Sequence, residues 1–237
     1  MDDALLVVSA LTKRFGGLVV TNDLHLTVRR GEMHALIGPN GAGKTTLLAQ
    51  LQGEITPDSG AIVLANRDIT RESAARRARY GISRSFQITC IFPQFTVLAN
   101  VALAVQARLG HSFRFCRAAA HDEQLLGPAR AALSTIGLDH RTNSLAADLS
   151  HGEQRQLELA MTIAMKPSLL LLDEPMAGMG RQDAVRITQI LAELKKSCTI
   201  LLVEHDMDAV FALADRVTVL VGGQAIRTGI PAEIRTD

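Results

Sequence analysis

Gly38-Pro39-Asn40-Gly41-Ala42-Gly43-Lys44-Thr45 fits the pattern G-x-x-x-x-G-K-[ST]. Glycines at this spacing let backbone N–H groups converge on a phosphate, and a helix opening at the end of the loop adds a favourable dipole. Lys44 can reach the outer phosphates of a bound nucleotide, and the Thr45 hydroxyl can ligate Mg²⁺. Thr46 leads into the helix-forming run Leu47-Leu48-Ala49-Gln50-Leu51. The plain alternative is a glycine-rich turn with no ligand. At average residue usage the pattern arises by chance in a chain of this length on the order of once in a hundred sequences. A strand before it and a helix after it reduce that figure further.

A second group of residues can complete such a site. Asp173 ends the apolar run Leu169-Leu170-Leu171-Leu172, where a carboxylate can face Mg²⁺ across the phosphate loop. Glu174 follows and can polarise an attacking water; the competing reading makes Asp173-Glu174-Pro175 a turn cap. His205, in Val203-Glu204-His205-Asp206, can contact the terminal phosphate and hold water and Glu174 in register. Gln87, where the core gives way to a helical stretch, can ligate Mg²⁺ or be a surface glutamine. Phe15, in Lys13-Arg14-Phe15-Gly16-Gly17, can stack on adenine or belong to the core.

These residues need elements to position them. Leu24–Val28 alternates with period two, as a half-buried strand does, and Met33–Ile37 is an apolar run ending at a glycine. Ala61–Ala65 follows the turn signals Pro57-Asp58-Ser59-Gly60 and reads as a strand. From about Thr96 to Ala147 the pattern is helical, with Gly110 and Gly127-Pro128 as expected breaks. Leu157, Ala160, Met161, Ala164 and Met165 share one helical face ahead of Pro167. Strands are expected at Leu169–Leu172, Thr199–Val203 and Val217–Val221, with helices at about Gln182–Lys196 and Met207–Ala214. Buried strands alternating with helices imply a mainly parallel sheet, so the fold class is an α/β core interrupted by a helical insertion.

The composition is compatible with that fold. A chain of 237 residues, 47% hydrophobic, is long enough to bury a proper core. A net charge of +1 and the lack of aromatics among the arginines argue against a nucleic-acid partner. Cys90, Cys116 and Cys198 are too scattered for a disulfide framework, which points to a reducing compartment. Met1-Asp2-Asp3 is acidic where a secretion signal would be basic, and Val97–Val105 is far short of a membrane span of roughly 18 residues. Arg71, Arg76, Arg77 and Arg79 are expected on a solvated helix face, partly balanced by Glu72. Arg108, Arg114 and Arg117 form a second basic run in the insertion.

The order and spacing of these motifs from Phe15 to His205, with Leu149-Ser150-His151-Gly152-Glu153-Gln154 between them, resemble the nucleotide-binding subunit of an ABC transporter. Arg14-Phe15-Gly16-Gly17, Gly81–Gln87, Phe95–Val101 and Pro175–Met179 are similar to the branched-chain (hydrophobic) amino-acid and urea uptake branch. The resemblance implies a P-loop NTPase (RecA-like) core at 1–88 and 150–237, with an N-terminal antiparallel β subdomain. It also implies an inserted α-helical subdomain at 89–149. ATP and Mg²⁺ are the implied ligands, with Phe15 on adenine, Gln87 in the Q-loop, Asp173 as the Walker B carboxylate, Glu174 as catalytic base and His205 as switch histidine. Ser150, His151, Gly152 and Glu153 are implied to form a signature that meets the ATP held by a second subunit. Permease subunits would dock by the groove near Gln87 and the helical subdomain, a solute-binding protein would join indirectly, and the complex would lie on the cytoplasmic membrane face. The resemblance implies ATP hydrolysis that energises an importer of branched-chain or hydrophobic amino acids; a urea or short-amide importer, a lipid or polysaccharide exporter ATPase and a soluble ABC protein remain alternatives. Two departures stand out: His151 and Glu153 replace the usual Gly and Gln of the signature, and Gly180 stands where a polar side chain normally links the two ATP sites.

Overall fold

The computed structural model describes residues 3–84, 91–110 and 122–235. Gln87 lies outside the described residues, as do Cys90, Cys116, Arg114 and Arg117. The chain divides into two compact units, the first made of Met1–Arg84, Ser168–Glu174 and Leu191–Asp237, the second of Ser85–Pro167 and Pro175–Ile190.

The first unit carries two sheets. β1 (Ala4–Phe15) and β2 (Leu18–Arg29) form a long antiparallel hairpin, joined by β4 (Ser59–Leu64) and β5 (Arg67–Asp68) in the order β2-β1-β4-β5. Period-two reasoning does not reveal β1. Its register shifts between Val8 and Leu11, and Ala10 has φ 50°, so a bulge breaks the alternation of buried and exposed residues.

The second sheet has the order β10-β9-β3-β8-β7-β6, from β3 (Met33–Ile37), β6 (Ile82–Arg84), β7 (Leu169–Asp173), β8 (Thr199–Val203), β9 (Arg216–Val221) and β10 (Gln224–Gly229). All ladders in it are parallel except the β9–β10 edge. Every residue of β7 and β8 is buried, as expected of central strands covered on both faces. Each fully buried leucine of Leu169–Leu172 contributes about 1.5–3 kcal/mol, so the strand that delivers Asp173 is strongly anchored.

α1 (Lys44–Gln52) follows the phosphate loop, and α2 (Ala74–Arg79) follows β5. The basic run is exposed at Arg71, Arg76 and Arg79, as expected, but not at Arg77. Arg76 is exposed and pairs with Glu72 at 3.0 Å, but Arg77 is 1% exposed. Its guanidinium donates to the carbonyls of Gln50, Leu51, Thr70 and Glu72, satisfying the C-terminal end of α1 from below. A cation there also complements the negative end of the helix dipole.

In the second unit, α3 (Val97–Leu109), α4 (Glu123–Ile136) and α5 (His151–Ala164) pack on one another around Val97, Val101, Val105, Leu133, Ile136 and Leu157. Gly110 ends α3 at φ 69°, as the pattern predicts. Gly127-Pro128 does not break α4. Pro128 lies within the helix, where burial of Leu125, Leu126, Ala129, Ala132 and Leu133 outweighs the lost hydrogen bond. α6 (Arg181–Leu194) begins in the second unit and ends in the first, where α7 (Met207–Leu213) and α8 (Pro231–Ile234) complete the chain. Among the described residues, no helix is long and apolar enough to cross a membrane.

Candidate active site

The phosphate loop turns from the end of β3 into α1 with Gly38, Gly41 and Gly43 at φ 150°, 80° and 101°. Two of these glycines are also sterically obligatory. A Cβ on Gly38 would collide with the carbonyl oxygen of Leu220, and one on Gly43 with that of Val20. The loop is pinned from outside by the Gly222-Gly223 turn between β9 and β10, where Gly223 N–H donates to Ala42 O at 3.0 Å.

Gly43 is the N-cap of α1, contributes no side-chain cap, and no acidic residue occupies the first turn. The helix therefore presents its positive end without a protein anion to neutralise it. The Lys44 ammonium is buried and donates to Gly38 O at 2.7 Å and Pro39 O at 3.0 Å. Burial lowers its pKa, while the carboxylates of Glu174 and Asp173 act in the opposite direction. A lysine held by its own loop carbonyls is pre-positioned for an anion that can replace them.

A cleft of about 320 Å³ opens here, lined by Val20, Asn40, Gly41, Ala42, Gly43, Lys44, Thr45, Thr46, Glu174 and His205. The structure thus brings together most of the residues singled out in the sequence, including the phosphate-binding candidate Lys44 and the two catalytic candidates Glu174 and His205. Phe15 is not among the cleft residues. It lies at the end of β1, 48% exposed, with the Lys13 ammonium 5.5 Å from its ring centroid, so it is not a core residue.

Glu174 leaves β7 at φ 50°, a conformation costing a non-glycine residue about 1–3 kcal/mol. Its N–H donates to Val203 O at 2.8 Å, which holds the turn. Its Oε1 lies 2.6 Å from His205 Nε2. With the carboxylate ionised, the imidazole donates and its proton resides on Nε2. The strained residue is thus the one whose carboxylate meets His205 in the cleft.

Asp173 is 1% exposed. Its Oδ2 accepts from Arg84 Nη2 at 2.8 Å, while Oδ1 has no hydrogen-bond partner. A buried carboxylate oxygen left over in this way suits a hard cation. Thr45, whose side chain is exposed at the start of α1, supplies a hydroxyl of the kind Mg²⁺ accepts. No cluster of three His, Cys, Asp or Glu that could hold a metal ion occurs among the described residues.

Arg84, Val20 and Gly223 are the site-supporting residues that sequence reasoning missed. Arg84 also reaches Glu54 Oε2 at 3.2 Å and Gln52 Oε1 at 3.3 Å. Its partners lie far away along the chain, so no local pattern marks it. Gly222-Gly223 after the apolar run Val217–Val221 is a hairpin signal, and could have been found.

The signature residues belong to the second unit. Ser150 is the N-cap of α5, and its Oγ accepts from Glu153 N–H at 3.3 Å. Glu153 Oε2 in turn accepts from Ser150 N–H at 2.9 Å, closing a capping box. Arg141 grips the same carboxylate through Nε at 2.8 Å and Nη2 at 3.3 Å. That guanidinium, with the Ser150 bonds, holds Glu153 far below the usual carboxylate range, at about 2. His151 is exposed; a Cβ on Gly152 would sit 2.7 Å from Asp183 Oδ2, so only glycine fits without moving that side chain. Gly180 is exposed, with open space around a would-be Cβ, and accepts from Ala184 N–H at 3.0 Å.

Residues 21–177 match the family described as ABC transporter. The chain is 37% identical over 247 residues to the high-affinity branched-chain amino acid transport ATP-binding protein LivG of Salmonella typhimurium, covering 100% of this chain and 96% of that one. It is 34% identical to the corresponding protein BraF of Pseudomonas aeruginosa, over 99% and 95% of the two chains. Among solved structures, an ATP-binding cassette of an ABC transporter in its ADP conformation superposes with a TM-score of 0.87 at 29% identity, covering 98% of this chain and 94% of that one. The chain belongs to the ABC transporter family, as an ATP-binding and ATP-hydrolysing cassette.

Proposed function

We propose that the protein energises an importer of branched-chain or hydrophobic amino acids, working as one of two ATPase subunits on the cytoplasmic face of a membrane. The observation that carries the chemical half of this reading is the convergence of Lys44, Glu174 and His205 on one cleft at an uncapped helix N-terminus. Full-length likeness to LivG and BraF supports the choice of solute class.

In this reading ATP lies with its phosphates in the Gly38–Thr46 loop and its adenine on Phe15. Lys44 exchanges the Gly38 and Pro39 carbonyls for phosphate oxygens. Thr45, Asp173 through its unpartnered Oδ1, and Gln87 would hold Mg²⁺, which when bound neutralises charge on the phosphates. Glu174 orients the attacking water and accepts its proton as the oxygen–phosphorus bond forms and the bond to ADP breaks. His205, hydrogen-bonded to Glu174, fixes the carboxylate's direction. Ser150, His151, Gly152 and Glu153 form the signature, of which Ser150 and Gly152 meet the terminal phosphate held by the second subunit. Permease subunits dock beside Gln87 and the helical unit, and a solute-binding protein delivers the amino acid to them.

The test is uptake of labelled leucine, isoleucine or valine by vesicles containing the complete transporter and internal Mg·ATP. Uptake should occur with the wild-type chain and vanish with Glu174→Gln. Uptake of urea or export of lipid in place of amino acids would replace the proposed solute.

A further inference from the structure

The glutamate at position 153 poses an electrostatic problem. If Ser150 meets the terminal phosphate of a second subunit's ATP, as proposed above, a bare carboxylate three residues away opposes that contact. A second carboxylate, Asp183, already approaches Gly152 closely. The positive end of α5 would then be spent on its own acids, and not on the incoming phosphate.

The structure contains a specific answer. Arg141 Nε and Nη2 engage the Glu153 carboxylate side-on at 2.8 and 3.3 Å, and His140 Nε2 lies 3.8 Å from Oε1. Both residues come from the short turn Asp139–Arg141, which buries no side chain of its own. The position of Arg141 is therefore not a by-product of packing. Its partner Glu153 uses Oε2 to hold Ser150 N–H, and the Glu153 N–H occupies a Ser150 Oγ lone pair. The remaining O–H of Ser150 is left to donate, which is what a phosphate oxygen requires.

We propose that Arg141 is a positioning residue of the ATP-completing half-site, cancelling the Glu153 charge while the capping box aims the Ser150 hydroxyl at the partner's phosphate. Arg141 and Glu153 thus act as one neutral pair, doing the work of a single uncharged side chain at position 153. The inference rests on the shared-site reading of the signature.

The experiment uses the full chain carrying Glu174→Gln, which binds ATP without turning it over, and measures Mg·ATP-driven dimerisation by sedimentation. Arg141→Gln should weaken dimerisation about 10- to 100-fold, because an uncancelled charge faces phosphate at two symmetric sites. Glu153→Gln, which keeps the capping box, should dimerise at least as well as the parent. The double variant Arg141→Gln with Glu153→Gln should return to within about threefold of the parent, and Arg141→Lys should retain most of the affinity. The defect of Arg141→Gln should shrink in high salt, a readout that a purely structural role would not move. An unaffected Arg141→Gln, or a double variant as weak as the single, would overturn the inference alone. A parent that does not dimerise with ATP would overturn the shared-site reading and this inference with it.

Discussion

Removing Arg84 should cost the nucleotide-free protein more than any other single change at the active site. Its guanidinium is 6% exposed and donates to a carboxylate that is fully buried, at 2.8 Å. Deleting one member of such a pair strands the other charge in a poorly solvated place, a cost of about 3–5 kcal/mol. The contacts to Glu54 and Gln52 add little, since the Glu54 side chain is 42% exposed. For a domain of this size each kcal/mol lowers Tm by roughly 2–4 °C, so Arg84→Ala should melt about 6–20 °C below wild type. Urea denaturation without nucleotide or Mg²⁺ should give the corresponding free-energy loss, with the m value unchanged. The double variant Arg84→Ala with Asp173→Asn should recover part of the loss, because no buried charge is then left unpaired. A loss below about 1 kcal/mol for Arg84→Ala, or a double variant that is simply additive, would refute the claim that Arg84 neutralises Asp173.

Other perturbations have equally definite outcomes. Arg77→Ala, which leaves the carbonyls of Gln50 and Leu51 at the end of α1 without their donor, should cost about 2–4 kcal/mol by chemical denaturation. Gly43→Ala, whose Cβ would strike the Val20 carbonyl, should abolish measurable ATP binding in a fluorescent-nucleotide titration while the fold survives by circular dichroism. Glu153, with its pKa lowered to about 2, should contribute stability that is complete above its ordinary value of 4.5 and lost as the pH falls toward 2. An NMR titration of its carboxyl carbon should show that low midpoint, and Arg141→Gln should move it up toward the ordinary value.

Much of this site is legible in the sequence because its residues are local to strand ends. The apolar runs Met33–Ile37, Leu169–Leu172 and Thr199–Val203 read as buried strands, and the structure forms them as such. Parallel strands in one sheet deliver their C-terminal residues to one edge. Gly38, Glu174 and His205 therefore meet by consequence of topology. What the sequence concealed depends on partners far apart along the chain. Arg77 reads as one more surface arginine until the carbonyl end of α1 is placed above it. Arg84 gains its meaning from Asp173, and Arg141 from Glu153, pairings that no helical or strand period encodes. Pro128 misleads in the other direction, since a local preference was overridden by the apolar face of α4. The bulge at Ala10 hid β1 for the same kind of reason: alternation fails where the strand must bend.

In the proposed dimer the ATP held by Gly38–Thr46 is completed by the signature of a second subunit. Sedimentation of the Glu174→Gln chain with Mg·ATP, with and without Ser150→Arg, tests it directly. Glu174→Gln should sediment as a dimer and become a monomer once Ser150→Arg is added, with ATP affinity of the isolated monomer nearly unchanged. A dimer that survives Ser150→Arg, or a large loss of ATP affinity in the monomer, would contradict it.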